Sequence, residues 1–98
     1  MDLRQFRESL TADEPPPGLS VSLQALWYDA KGDWNRAHEL VQDLTAATGA
    51  GVHAYLHRKE GDLSNAAYWY RQADGSMPDA PLDAEWESLA ARLLRDRT

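Results

Sequence analysis

The chain has no cysteine, so it forms no disulfide and offers no thiolate to a metal. It has no excess of basic residues either: ten Lys and Arg stand against sixteen Asp and Glu, and a formal charge of -6 opposes the phosphate backbone of a nucleic acid. Nowhere does an apolar run approach the roughly 20 residues needed to cross a bilayer, and "MDLRQFRESL" at the start lacks the apolar core of a secretory signal. These absences point to a cytoplasmic protein that binds neither nucleic acid nor membrane. The usual marks of catalysis are missing too. "HEL" at His38 to Leu40 continues into Val41 and Gln42, so there is no HExxH zinc-protease motif, and neither a GxSxG elbow nor a phosphate-cradling glycine loop occurs. No cofactor is implied and an enzyme is unsupported.

What the chain does have is large apolar side chains. Hydrophobic residues make up 43% of its 98 positions, with four Trp and four Tyr, enough to offset the entropy of ordering one compact domain. Apolar residues recur at helical spacing. Asp2 is placed to cap a short helix whose Leu3, Phe6 and Leu10 share a face, and "PPPG", Pro15 to Gly18, follows as a connector. Ser20 is expected to cap a helix burying Leu23, Leu26, Trp27 and Ala30 and closed by Gly32. Asp33 then caps a second helix with Trp34, Ala37, Val41 and Leu44 inside, running out near "TGAG", Thr48 to Gly51. The same punctuation returns: Val52, Tyr55, Leu56 and the stem of Lys59 form a stripe, Gly61 stops it, Asp62 caps, and Leu63, Ala66, Ala67, Tyr70 and Ala73 follow. After "DGSMPDAP", Asp83 is expected to cap a last helix burying Trp86, Leu89, Ala90, Leu93 and Leu94. Its acids lie early and Arg92, Arg95 and Arg97 late, as the helix dipole favours. The expected fold is all-α: an N-terminal helix over 1–14, tandem helix-turn-helix hairpins over 20–48 and 52–78, and a capping helix over 83–97.

Laid without gaps on "VHAYLHRKEGDLSNAAYWYRQA", the stretch "LQALWYDAKGDWNRAHELVQDL" matches Gly32 with Gly61, Asp33 with Asp62, Ala25 with Ala54 and Ala37 with Ala66, a repeat of roughly 29 residues. These residues resemble tetratricopeptide and Sel-one-like helical repeats. "AAYWYRQA", Ala66 to Ala73, is similar to the second-helix signature of the Sel-one-like class, and Tyr28, Gly32, Ala37, Ala66, Ala73 and Pro78 fall near positions that tetratricopeptide patterns favour. The chain departs from the pattern where Val21 and Ala50 replace the large aromatic early in each first helix, and its period is shorter than the standard unit. The layout as a whole also resembles small uncharacterised bacterial proteins, which supplies no activity.

The resemblance implies a non-enzymatic protein-interaction module with a shallow groove lined by the first helix of each hairpin. Carried over by position, the groove-facing residues are Leu26, Asp29 and Ala30 in the first unit and Tyr55, Arg58 and Lys59 in the second. Arg58 and Lys59 form a basic spot suited to an acidic peptide or a C-terminal carboxylate, with Tyr55 as a flat apolar surface beside them; alternatively both are solvated side chains near a helix C-terminus. Of Tyr68, Trp69 and Tyr70, consecutive on one helix, at least one must face away from the core. If Ala66 and Tyr70 mark the inside, Tyr68 points outward and Trp69 lies on a flank, where it meets Trp86 or a partner chain. A homodimer whose aromatics bury each other is a further reading.

The second functional reading is a small metal-binding protein. His53 and His57 stand four residues apart on one helix face, a spacing that lets two imidazoles share an ion, and His38 on the preceding helix, Glu39 or Glu60 could add a third ligand. Against it stands packing: both rings flank the stripe of Val52, Tyr55 and Leu56, and His57 aligns with Tyr28, a packing position of this repeat class.

Overall fold

The computed structural model describes residues 1–44 and 47–95, the side chain of Thr48 excepted, and among them there are helices and no strand. The expected all-α class is therefore met. Asp2 caps α1 (Leu3–Glu8) through a reciprocal capping box with Gln5, and the chain continues into a 3-10 turn at Ser9–Thr11. Phe6 is fully buried, and Leu3 and Leu10 pack beside it on the core, the face expected from their spacing. The prolines then break the helical run, and Lys31 holds the end of the 3-10 turn by donating to the carbonyls of Leu10 and Ala12 at 2.7 and 2.9 Å.

α2 (Val21–Ala30) is capped by Ser20 and α3 (Trp34–Val41) by Asp33, whose carboxylate accepts from the Arg36 amide. Between them Gly32 takes φ +90, a left-handed conformation in which L side chains are strained, and the Asp33 amide closes back onto the Tyr28 carbonyl. The design recurs where α4 (Ala47–Glu60) meets α5 (Leu63–Gln72): Gly61 takes φ +91, Asp62 bonds back to the His57 carbonyl, and its side chain caps α5. At the end of α5 the left-handed position falls to Asp74, with φ 61.

Two boundaries differ from expectation. "TGAG" does not end a helix; α4 begins at Ala47 and runs through both glycines. The reason is tertiary, because a Cβ on Gly49 would sit 2.5 Å from the Leu44 Cβ, so this glycine lets the turn after α3 lie directly on α4. Asp83 is not the cap of the last helix, since α6 (Leu82–Arg95) already includes it in its first turn and the Pro81 carbonyl accepts the Glu85 amide. Arg97 lies outside the described residues.

α2 packs most extensively on α3 and α4 on α5, and α3 on α4 joins the two pairs. α6 lies across α4 and α2, and α1 closes against α6. Trp86 anchors this crossing. Its indole donates to the Leu26 carbonyl at 2.9 Å and its ring stacks on Phe6 at 5.7 Å. Trp27, Leu23, Leu26, Val52 and Leu56 fill the centre, so the first helices of both pairs have much of their face covered by α6.

Candidate functional site

Two buried carboxylates organise the surroundings of α4. Asp29 of α2 accepts from the Tyr55 hydroxyl at 3.0 Å with one oxygen and from the Lys59 ammonium at 3.0 Å with the other. Glu85 of α6 does the same, accepting from Arg58 at 2.7 Å and from the Tyr70 hydroxyl at 2.6 Å. Each clasp joins a carboxylate, a tyrosine and a cation, the combination that makes charge burial tolerable. Burial, then the neighbouring Asp29 charge, holds the Tyr55 hydroxyl well above its ordinary pKa. Burial, then the bond to Glu85, does likewise for Tyr70.

This arrangement fixes where the groove residues stand. Leu26 is in the core, and Tyr55 is buried with its hydroxyl spent on Asp29. Arg58 turns toward α6, bonding Glu85 and the Ala80 carbonyl. Asp29, Ala30, Tyr55 and Lys59 do come together, along a cleft of about 420 Å³ that α1 and α6 complete with Arg7, Leu10, Leu82, Asp83 and Trp86. Lys59 keeps 40% of its side chain exposed and Arg7 49%, each also paired with a carboxylate of this chain, Asp29 and Glu87. Leu10, Leu82 and Trp86 could not be assigned to the cleft from the repeat, because they belong to the flanking helices that cross it.

On the other side of α4 the three histidines meet. His38 on α3 brings its Nε2 to 3.1 Å from the Nε2 of His53, and one ring nitrogen from each of His38, His53 and His57 lies within 4.8 Å of the others. His57 donates through Nδ1 to Glu60 at 2.5 Å, while Glu39 lies with Arg36 instead. The rings are held between indoles: Trp34 stacks on His38 at 4.9 Å and 7°, and Trp69 on His53 at 4.0 Å and 17°. Trp69 thus meets a histidine, not Trp86, while Ala66 and Tyr70 face inward and Tyr68 is exposed as the helical wheel required. The Trp34 indole is itself fixed by donating to the Leu56 carbonyl at 2.8 Å.

His53 and His57 are 4% and 6% exposed, and His38 is half-buried. Burial, followed by the charges of His38 and His57, pushes the pKa of His53 down to about 4. Burial and then the His57 charge lower that of His38, against the opposing pull of Glu60 and Glu39. Both imidazoles are accordingly neutral near pH 7, the form that donates a lone pair. Among the described residues the Nδ1 of His53 is buried without a hydrogen-bond partner.

No helix among the described residues is long and apolar enough to cross a membrane. No family model, curated protein or solved structure matches the chain.

Proposed function

We propose that the chain is a non-enzymatic binding module of tetratricopeptide-like build, which takes a segment of a partner protein in the cleft between its paired helices and α6. The observation that carries this reading is the lining of the cleft. Four residues assigned to the groove through the repeat, Asp29, Ala30, Tyr55 and Lys59, share one concavity with apolar Leu10, Leu82 and Trp86. Apolar walls with a few polar groups are what a peptide side chain needs for anchoring and orientation.

The occupant is a peptide that inserts one apolar side chain between Leu10, Leu82 and Trp86 and sets a carboxylate near the half-exposed cations Lys59 and Arg7. The test is selection from a displayed library of random peptides with free C-termini, on the wild type and on Ala30→Trp. Ala30 is exposed at the end of α2, so the new indole occupies the cleft without entering the core. Selected peptides carrying an apolar residue beside a carboxylate, and losing affinity for Ala30→Trp, support the assignment. No selected peptide, or equal binding to a folded Ala30→Trp, overturns it.

A further inference from the structure

We propose that His38, His53 and His57 form a three-imidazole site for Zn2+, with a fourth position open to water or to a donor from another molecule. The proposal rests on a face of α4 that the peptide cleft does not use.

The first support is geometric. Four ligands at the usual Zn–N distance of about 2.0–2.1 Å in tetrahedral array stand about 3.3 Å apart. The Nε2 atoms of His38 and His53 are 3.1 Å apart, close to one such edge. The nitrogen contributed by His57 lies within 4.8 Å of both, so the three imidazoles converge on one point and have only to draw together around an ion.

The second is the disposition of protons. Glu60 accepts a hydrogen bond from the Nδ1–H of His57, which leaves the Nε2 lone pair free to ligate. A carboxylate behind a ligating histidine fixes its tautomer and raises its basicity. Across the His38 and His53 contact one nitrogen must donate and the other accept, so a single proton occupies a place where two lone pairs can instead face an ion.

The third is preorganisation. Trp34 and Trp69 hold the planes of His38 and His53, and the helical spacing of His53 and His57 sets those two rings side by side, with centroids 4.8 Å apart. His53 is nine-tenths buried, so its ring has little room to turn out of the cluster.

The donor set selects the ion. Imidazole alone, without thiolate or a carboxylate in the cluster, suits zinc and its neighbours rather than magnesium or calcium. Three protein ligands with access past half-buried His38 make the open type of zinc site. The other grouping of potential ligands, His57 with Glu60 and Asp62, is weaker, because both carboxylates are exposed and Asp62 is committed to capping α5.

Calorimetric titration of the tag-free, chelator-treated chain with ZnCl2 tests the site. The expected result is saturable binding of one equivalent, lost in His38→Gln and weakened roughly 10–100-fold in Glu60→Gln. Neither substitution enters the centre of the core, and circular dichroism verifies the fold of each. Titration with Co2+ supplies a readout independent of stability: the visible spectrum of a tetrahedral cobalt ion, with quenching of Trp34 and Trp69 against the ligand rings. Absence of saturable binding to the wild type overturns the proposal. So does wild-type affinity in His38→Gln, which would place the ion elsewhere.

Discussion

On one side of α4, Tyr55, Arg58 and Lys59 reach carboxylates of α2 and α6, and every oxygen of Asp29 and Glu85 receives a donor. On the other, His53 and His57 meet His38, and apart from the Glu60 bond these rings have mainly one another. The first face is chemically closed. It stitches α4 to its neighbours and needs nothing from outside to satisfy its buried groups. The second face gathers lone pairs, which are satisfied by protons or by an ion. One helix thus carries two polar networks about half a helical turn apart, one with both carboxylates fully paired inside the chain and one in which, among the described residues, a buried ring nitrogen of His53 is left without a partner.

The largest effect that separates the two faces belongs to Glu85. Glu85→Ala leaves the Arg58 guanidinium and the buried Tyr70 hydroxyl without their acceptor, and breaking such a pair costs roughly 3–5 kcal/mol. Asp29→Ala is expected to cost less, about 1–3 kcal/mol, because half-exposed Lys59 can turn to water while only Tyr55 is stranded. Urea unfolding of both variants measures the difference; equal losses would show that the exposure of the cation does not set the strength of a clasp.

Titration comes next. The pKa of His53 is about 4 in the folded chain against about 6.5 unfolded, so the unfolded state takes up the proton first as pH falls. Stability is therefore full above pH 6.5 and drains away down to about pH 4, by an amount of order 3 kcal/mol. The clasp face behaves oppositely. Tyr55 and Tyr70 have raised pKa values, so their contribution is complete below pH 10 and is lost as pH rises beyond it. His53→Leu should flatten the acid limb of a stability profile and leave the alkaline limb in place; a persistent acid limb would assign it to other groups.

How far these faces were legible in the sequence depends on the reach of each interaction. Caps and stops are local, so Asp2, Ser20, Asp33 and Asp62 and the turns at Gly32 and Gly61 followed from residue type and spacing. The meeting of His38 with His53 and His57 followed from pairing consecutive helices. The partners of Arg58 and Tyr70 did not, because Glu85 lies 27 residues beyond Arg58 on a helix whose crossing of α2 and α4 no local pattern encodes. Gly49 misled differently: glycine reads as a helix stop, while here its missing side chain lets Leu44, five residues earlier, lie against the first turn of α4. Ala at an ordinary helical site gains about 0.5–1 kcal/mol over Gly, whereas Gly49→Ala should lose about 1–3 kcal/mol by overpacking. Because that contact sets α4 against α3, the histidine ring signals in an NMR spectrum should shift more than those of Tyr70.

The smallest expected effect is the most discriminating. Glu60 is exposed, with 38% of its side chain in solvent, and its bond to His57 spans one turn at the surface end of α4. Replacing it by Gln retains an oxygen that can accept from Nδ1, so the apoprotein should lose no more than about 0.5–1 kcal/mol, as surface pairs do. Glu85→Ala removes a carboxylate too, yet one whose donors are enclosed, and should cost several times more. If Glu60 serves only packing, that small loss is its whole consequence. If it orients His57 toward an ion, the stabilisation that ZnCl2 confers on the wild type should shrink by more than the apoprotein loses. Melting temperatures of wild type and Glu60→Gln, each with and without ZnCl2, separate the two terms, and an unchanged zinc increment would reduce the histidine face to a second, less complete structural network.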